Sequence, residues 1–210
     1  MKYFMIQCYC LAFLILFSCP VEANTDSVYI RVHFLHGSKP KRAFRHTEDR
    51  WFGGLLGGHA GVEYEPNKIL NFQPKSGFHI FTKPNLINSK FSIHDTISFY
   101  EILGGPSDSA KKTIIRIKIS AAQQMQLDSL SEVYGKRAPY DYAFFGMRCG
   151  AASYDLLSTI RVVPDYSFSK TWRKTFYPRK LRRRLEAESQ SKHYSVVKIK
   201  GSARRNWEKD

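Results

Sequence analysis

Cysteine is scarce in this 210-residue chain: Cys8, Cys10 and Cys19 fall near the start, and Cys149 stands alone thereafter. If residues 1–23 are removed as a leader, no internal disulfide can form, and Cys149 is either an inert core residue or a nucleophile. Long apolar runs are also missing. The stretch from Phe4 to Phe17 is interrupted by Gln7 and falls short of the roughly 20 residues that span a bilayer. No spacing among His46, His79 and His94 matches a zinc site, so neither metal nor cofactor is expected. Zinc-finger and aromatic RNA-binding patterns are absent too, which argues against a nucleic-acid partner. There is no internal repeat and no Gly/Ser linker, so the chain after the leader reads as one domain.

Acidic residues are outnumbered, 18 Asp and Glu against 33 Lys and Arg, for a formal charge of +15. Much of the excess lies in a basic extension, residues 169–210, following a domain at 24–168. In this extension Tyr177-Pro-Arg-Lys-Leu-Arg-Arg-Arg-Leu185 reads as a helix opened by Pro178. Leu181 and Leu185 share one face and arginines cover the rest. The leucines would dock on the domain. The arginines would either stay solvated or meet an anionic envelope polymer or a lipid surface.

At the front, Lys2, the apolar run and Val21-Glu22-Ala23 have the layout of a cleaved export signal, which places the protein in the periplasm or outside the cell. Leu16-Phe17-Ser18-Cys19 is an alternative lipidation signal, with Phe17 a poor fit.

Ser27 to Phe34 alternates Val28, Ile30, Val32 and Phe34, as a half-buried strand does. His59 to Tyr64, a turn at Glu65-Pro-Asn-Lys68, and Ile69 to Gln73 read as a hairpin that brings His59 near Asn71. Further strands are expected at Phe78–Phe81, Ile97–Ile102 and Thr113–Ile119. Ser120 caps a helix running to Leu130, and a second helix starts at Cys149 with Ala152, Leu156 and Ile160 on the thiol's face. The fold class is therefore α+β.

A thiol attacks an acyl carbon as the thiolate, which a helix N-terminus and a nearby imidazole both favour. Cys149 has the first by position. Of the seven histidines, His59 stands out because it opens a strand after Gly53, Gly54, Gly57 and Gly58. Asn71, or Gln73 by strand parity, would hold its ring in the useful tautomer. His33 and His36 flank the end of the first strand and read as surface or edge positions, His36 with the alternative of lining a cleft.

Gly57-Gly-His-Ala-Gly-Val62, followed distally by Tyr140-Asp-Tyr-Ala-Phe-Phe-Gly-Met-Arg-Cys-Gly-Ala-Ala-Ser-Tyr154, resembles the circularly permuted branch of the NlpC-type papain-fold superfamily. That branch includes lecithin:retinol acyltransferase-like proteins. The resemblance implies a papain-like domain, an antiparallel sheet packed on a helix with the cysteine at its N-terminus. It also implies Cys149 as nucleophile, His59 as base and Asn71 as orienter, with Tyr142 or Tyr140 bordering an oxyanion hole and Gly58 flanking the substrate. Two departures stand out: Gly150 and Ala151 replace a Ser-Glu pair frequent in relatives, and Asn71 stands where many carry histidine.

The function expected is an exported cysteine-dependent hydrolase or acyltransferase that cleaves an amide or ester through an acyl-thioester. A cell-wall peptide amide is the first substrate class and a lipid acyl group the second. The alternative is a catalytically silent papain-like module that binds an anionic envelope polymer through its tail.

Overall fold

Residues 28–51, 54–77, 79–83 and 87–209 are described by a computed structural model. The expected leader, the lipidation signal at Cys19, Ser27 of the first expected strand and Phe78 of the fourth lie outside them. In chain order the strands are β1 (Val28–His36), β2 (Ser38–Pro40), β3 (Gly58–Glu65), β4 (Lys68–Pro74), β5 (His79–Phe81), β6 (Ser89–His94), β7 (Lys112–Ile119), β8 (Ala143–Phe145), β9 (Ser195–Ile199) and β10 (Arg205–Trp207). The helices are α1 (Thr96–Glu101), α2 (Ala121–Lys136), α3 (Cys149–Thr159), α4 (Phe168–Lys174) and α5 (Pro178–Glu188).

The architecture is α+β. Six antiparallel strands form the main sheet in the order β6-β4-β3-β1-β7-β9. β2 pairs with β10, and the short β5 and β8 run parallel to each other.

The alternation in β1 decides how the two faces are used, because successive side chains leave a strand on opposite sides. Ile30, Val32 and Phe34 join Ala60, Val62, Leu70, Phe72, Ile115 and Ile117 in the larger core, which α3 covers with Ala151, Ala152, Leu156 and Leu157. On the other face Leu35 and Ile69 pack with Phe99 and Tyr100 of α1 in a smaller cluster.

Two expectations are corrected here. Ile97–Ile102 was expected as a strand from its β-branched and aromatic content, but the chain is helical from Thr96 to Glu101. Asp95 caps it, its side chain accepting from Ser98 N–H at 2.9 Å. Helical geometry also lets the adjacent Phe99 and Tyr100 both be buried. Tertiary packing and the cap override strand propensity.

His33 and His36, expected at the surface or an edge, are both buried. β1 runs on to His36, and β3 and β7 cover its sides. His36 Nε2 hydrogen-bonds the Thr113 hydroxyl at 2.9 Å, and its Nδ1 lies 3.4 Å from Glu208.

The basic segment is woven into this fold. α5 opens with Pro178, and Leu181 and Leu185 are fully buried in the larger core. β9 extends the sheet beside β7, and β10 pairs with β2. Arg182, on the helix expected to carry a solvated coat of arginines, is fully buried and pairs with Glu208 at 3.1 Å. Its three-methylene stem takes it inward beside the leucines, where the Glu208 carboxylate meets its guanidinium.

Candidate active site

Cys149 is the first residue of α3, so its own N–H is among those a helix start leaves without an intrahelical acceptor. The residue is only 4 % exposed, yet it lines a cleft of about 470 Å³. The loop before it is anchored firmly. Asp141 accepts from His79 Nδ1 at 2.6 Å, from Asn88 N–H at 2.8 Å and from Lys83 N–H at 3.1 Å. Burial alone would raise the Asp141 carboxyl, but these bonds hold it below the usual range. Ala143 N–H then donates to Met147 O, closing the turn that carries Tyr142 back beside Cys149.

β3 brings His59 to the same place. Gly58, just before it, has φ of +94°, and a Cβ there would stand 2.7 Å from Leu35 O, so this position demands glycine. In the β3–β4 register Asn71 lies opposite Gly61, making His59 its diagonal neighbour. His59 Nε2–H donates to Asn71 Oδ1 at 3.0 Å. The ring's other nitrogen is then left for Cys149, which lines the same cleft and whose charge acts on His59.

Which end of the Asn71 amide faces His59 follows from its surroundings. Nδ2 donates to Ile69 O at 3.1 Å and Ser92 O at 3.0 Å, and sits 3.2 Å from His94 Nδ1. Those carbonyls require the NH₂ end, which turns Oδ1 toward His59. Gln73 does not reach the imidazole in Asn71's stead. Its Nε2 donates to Asn71 Oδ1 at 2.7 Å, which places it one bond further out.

The electrostatics couple the pair. Burial alone would raise the Cys149 thiol, but the His59 charge and hydrogen bond, the Arg148 guanidinium and the Ala60 N–H together hold it below its ordinary value. Burial alone would lower His59, and the adjacent Cys149 charge, with hydrogen bonding to Cys149 and Asn71, raises it instead. Displacements in these opposite directions each favour the charged form of the group, thiolate on Cys149 and imidazolium on His59. His94 is lowered, first by burial and then by the His59 charge.

The other residues anticipated by sequence separate cleanly. Tyr142 and Gly58 line the cleft. Burial, and then the neighbouring Cys149 charge, raise the Tyr142 hydroxyl well above the usual tyrosine range. Tyr140 does not border the site. Its ring packs on Phe72 and Phe91, and its hydroxyl donates to Asp155 Oδ2 at 3.3 Å, so it belongs to the core.

Sequence reasoning passed over Asp141, His94 and Arg148. Arg148 carried a visible signal, a cation adjoining the nucleophile. The partners of Asp141 and His94 are remote in sequence and carried none.

Leu56, Ile102, Leu103, Phe144, Tyr177 and Pro178 supply most of the remaining cleft wall, which is largely apolar. Tyr177 and Pro178 come from the basic segment. Gly150 permits this: a Cβ there would lie 3.0 Å from Pro178 Cα and 3.1 Å from Thr175 O, both backbone atoms. Gly150 is therefore where the α4–α5 junction closes on the cysteine helix.

No family model, curated protein or solved structure matches this chain. No helix among the described residues is long and apolar enough to cross a membrane.

Proposed function

We propose that this protein is an exported, cysteine-dependent hydrolase or acyltransferase of the papain-like, permuted NlpC type. The observation that carries the reading is the chain of contacts Cys149–His59–Asn71 at the wall of a cleft. Cys149 Sγ attacks the acyl carbon of an amide or ester, and the carbonyl electrons move onto oxygen. Cys149 N–H at the helix start stabilises that oxyanion, with the Tyr142 hydroxyl next to it. His59 gives its proton to the departing nitrogen or oxygen as the tetrahedral intermediate collapses to a thioester. It then deprotonates water, or an acceptor alcohol or amine, for attack on the thioester. Asn71 keeps the ring in the tautomer and orientation that both transfers need.

A peptide amide of the cell envelope is the first substrate class. The apolar wall formed by Leu56, Ile102, Leu103 and Phe144 favours a second, a lipid acyl group.

Two measurements test the reading. Iodoacetamide labelling of Cys149 should persist well below the free-thiol pKa of about 8.5. Muropeptide amides and p-nitrophenyl esters of graded chain length should include one donor that leaves an acyl adduct on Cys149, seen by intact mass and absent from Cys149→Ala. An ordinary thiol profile, with no adduct from any donor, would overturn the proposal and leave the silent polymer-binding module standing.

A further inference from the structure

The thiolate–imidazolium pair is neutral as a unit, but the cleft around it is not. Of the described residues that line it, none is Asp or Glu, and Arg148 adds a positive charge beside the nucleophile. The guanidinium is held rigidly. Nε and Nη2 both donate to Phe176 O, at 3.2 and 2.7 Å. Its centre lies 4.1 Å from the Phe176 ring, 5.0 Å from Tyr177 and 5.3 Å from Phe144. Two of its five N–H groups are spent on that carbonyl. No carboxylate pairs with it among the described residues, and Arg148 is half-buried. A cation fixed by aromatic faces and partly withdrawn from water has lost hydration without gaining a counter-ion, a state that favours binding an anion. Planar N–H groups suit the oxygens of carboxylate and phosphate in particular.

We infer that Arg148 is the specificity residue of this cleft, receiving a carboxylate or phosphate that the substrate carries next to its scissile acyl group. The inference rests on the catalytic reading above and adds a substrate class to it: an anionic acyl donor. Electrostatic support of the thiolate by the same charge is consistent with the depressed Cys149 thiol. The α4–α5 junction thereby acquires a role, because Phe176 O and the Phe176 and Tyr177 rings aim the guanidinium.

The test compares two alkylating agents of nearly equal size on the mature protein, neutral iodoacetamide and anionic iodoacetate. The iodoacetate-to-iodoacetamide rate ratio should exceed that of a free thiol by about tenfold, an attraction of about 1.4 kcal/mol. It should shrink with added salt. Arg148→Gln should return the ratio to the free-thiol value and Arg148→Lys should keep part of it. If Arg148→Gln fails to fold, the wild-type ratio, its salt dependence and Arg148→Lys still decide. Protection from iodoacetamide by inorganic phosphate, beyond that from chloride at equal ionic strength, would support the inference and assign a phosphate. Protection by acetate alone would support it and assign a carboxylate. A wild-type ratio equal to that of a free thiol, with iodoacetamide labelling still persisting to low pH, overturns the inference and spares the catalytic reading. An ordinary iodoacetamide profile sinks both.

Discussion

Two buried histidines on neighbouring strands have opposite fates in this molecule. His33, on β1, is 2 % exposed, and its Nε2–H donates to Glu63 Oε2 at 2.7 Å while Nδ1 hydrogen-bonds the Tyr100 hydroxyl at 2.8 Å. His59, on β3, is 6 % exposed and is flanked by an amide and a thiol. Phe99 of α1 touches both rings, at 5.9 and 5.4 Å. Burial therefore does not separate them. Both nitrogens of His33 are satisfied, one by Glu63 of β3 and the other by Tyr100 of α1, and His33 does not line the cleft that Cys149 lines. One nitrogen of His59 is satisfied structurally, and the other meets a thiol that lines an open cleft. A buried imidazole becomes a candidate base when one of its two partners is itself reactive and reachable.

The sharpest way to break this comparison is to remove each ring in turn. His59→Ala should slow iodoacetamide capture of Cys149 at pH 6 by at least about tenfold, because the charge and hydrogen bond that favour the thiolate are lost. His33→Gln should leave that rate within about threefold. Equal effects would end the distinction.

Glu63 tests the opposite side. Burial tends to raise its carboxyl, but hydrogen bonds from His33 and the Asn67 N–H, with the His33 and Arg31 charges, hold it at about 2 against 4.5 for a free carboxyl. A folded-state value below the unfolded one means stability that is complete above about 4.5 and lost as pH falls through about 2. The displacement corresponds to about 3 kcal/mol. Urea unfolding should show Glu63→Gln less stable by about 2 to 3 kcal/mol at pH 7, with the deficit vanishing toward pH 2. Its Cys149 labelling profile should match the wild type. A stable Glu63→Gln protein would deny His33 its structural role.

Asn71→Ala should lower the Cys149 labelling rate by about tenfold, since the imidazole survives but loses its anchor. Gln73→Leu, one bond further out, should cost about threefold or less. A larger loss from Gln73→Leu than from Asn71→Ala would mean that the relay had been assigned in the wrong order.

Much of the site could be read from the chain because its parts are local or periodic. The β3–β4 hairpin links His59 and Asn71 across twelve residues, and the alternation of β1 and the apolar face of α3 mark the core directly. Less could be read where a contact joins remote segments. Nothing near Asp141 shows that His79, Lys83 and Asn88 will converge on it, and nothing near Glu208 announces Arg182 or His36. The strand expected at Ile97–Ile102 failed for a related reason. Its residue types suit a sheet, and only the cap at Asp95 and the floor beneath Phe99 and Tyr100 make it a helix.

By itself the chain determined which atoms can react, one thiol at a helix start and one imidazole opening a strand, together with the apolar alternation that makes the sheet. Tertiary structure alone decided which tyrosine turns to the cleft and which to the core, and that Tyr177 and Pro178 of the basic segment wall the site. The physical reason is that reactivity comes from side-chain chemistry written locally. Its tuning comes from distances and burial between segments far apart along the backbone, which exist only once the chain has closed on itself.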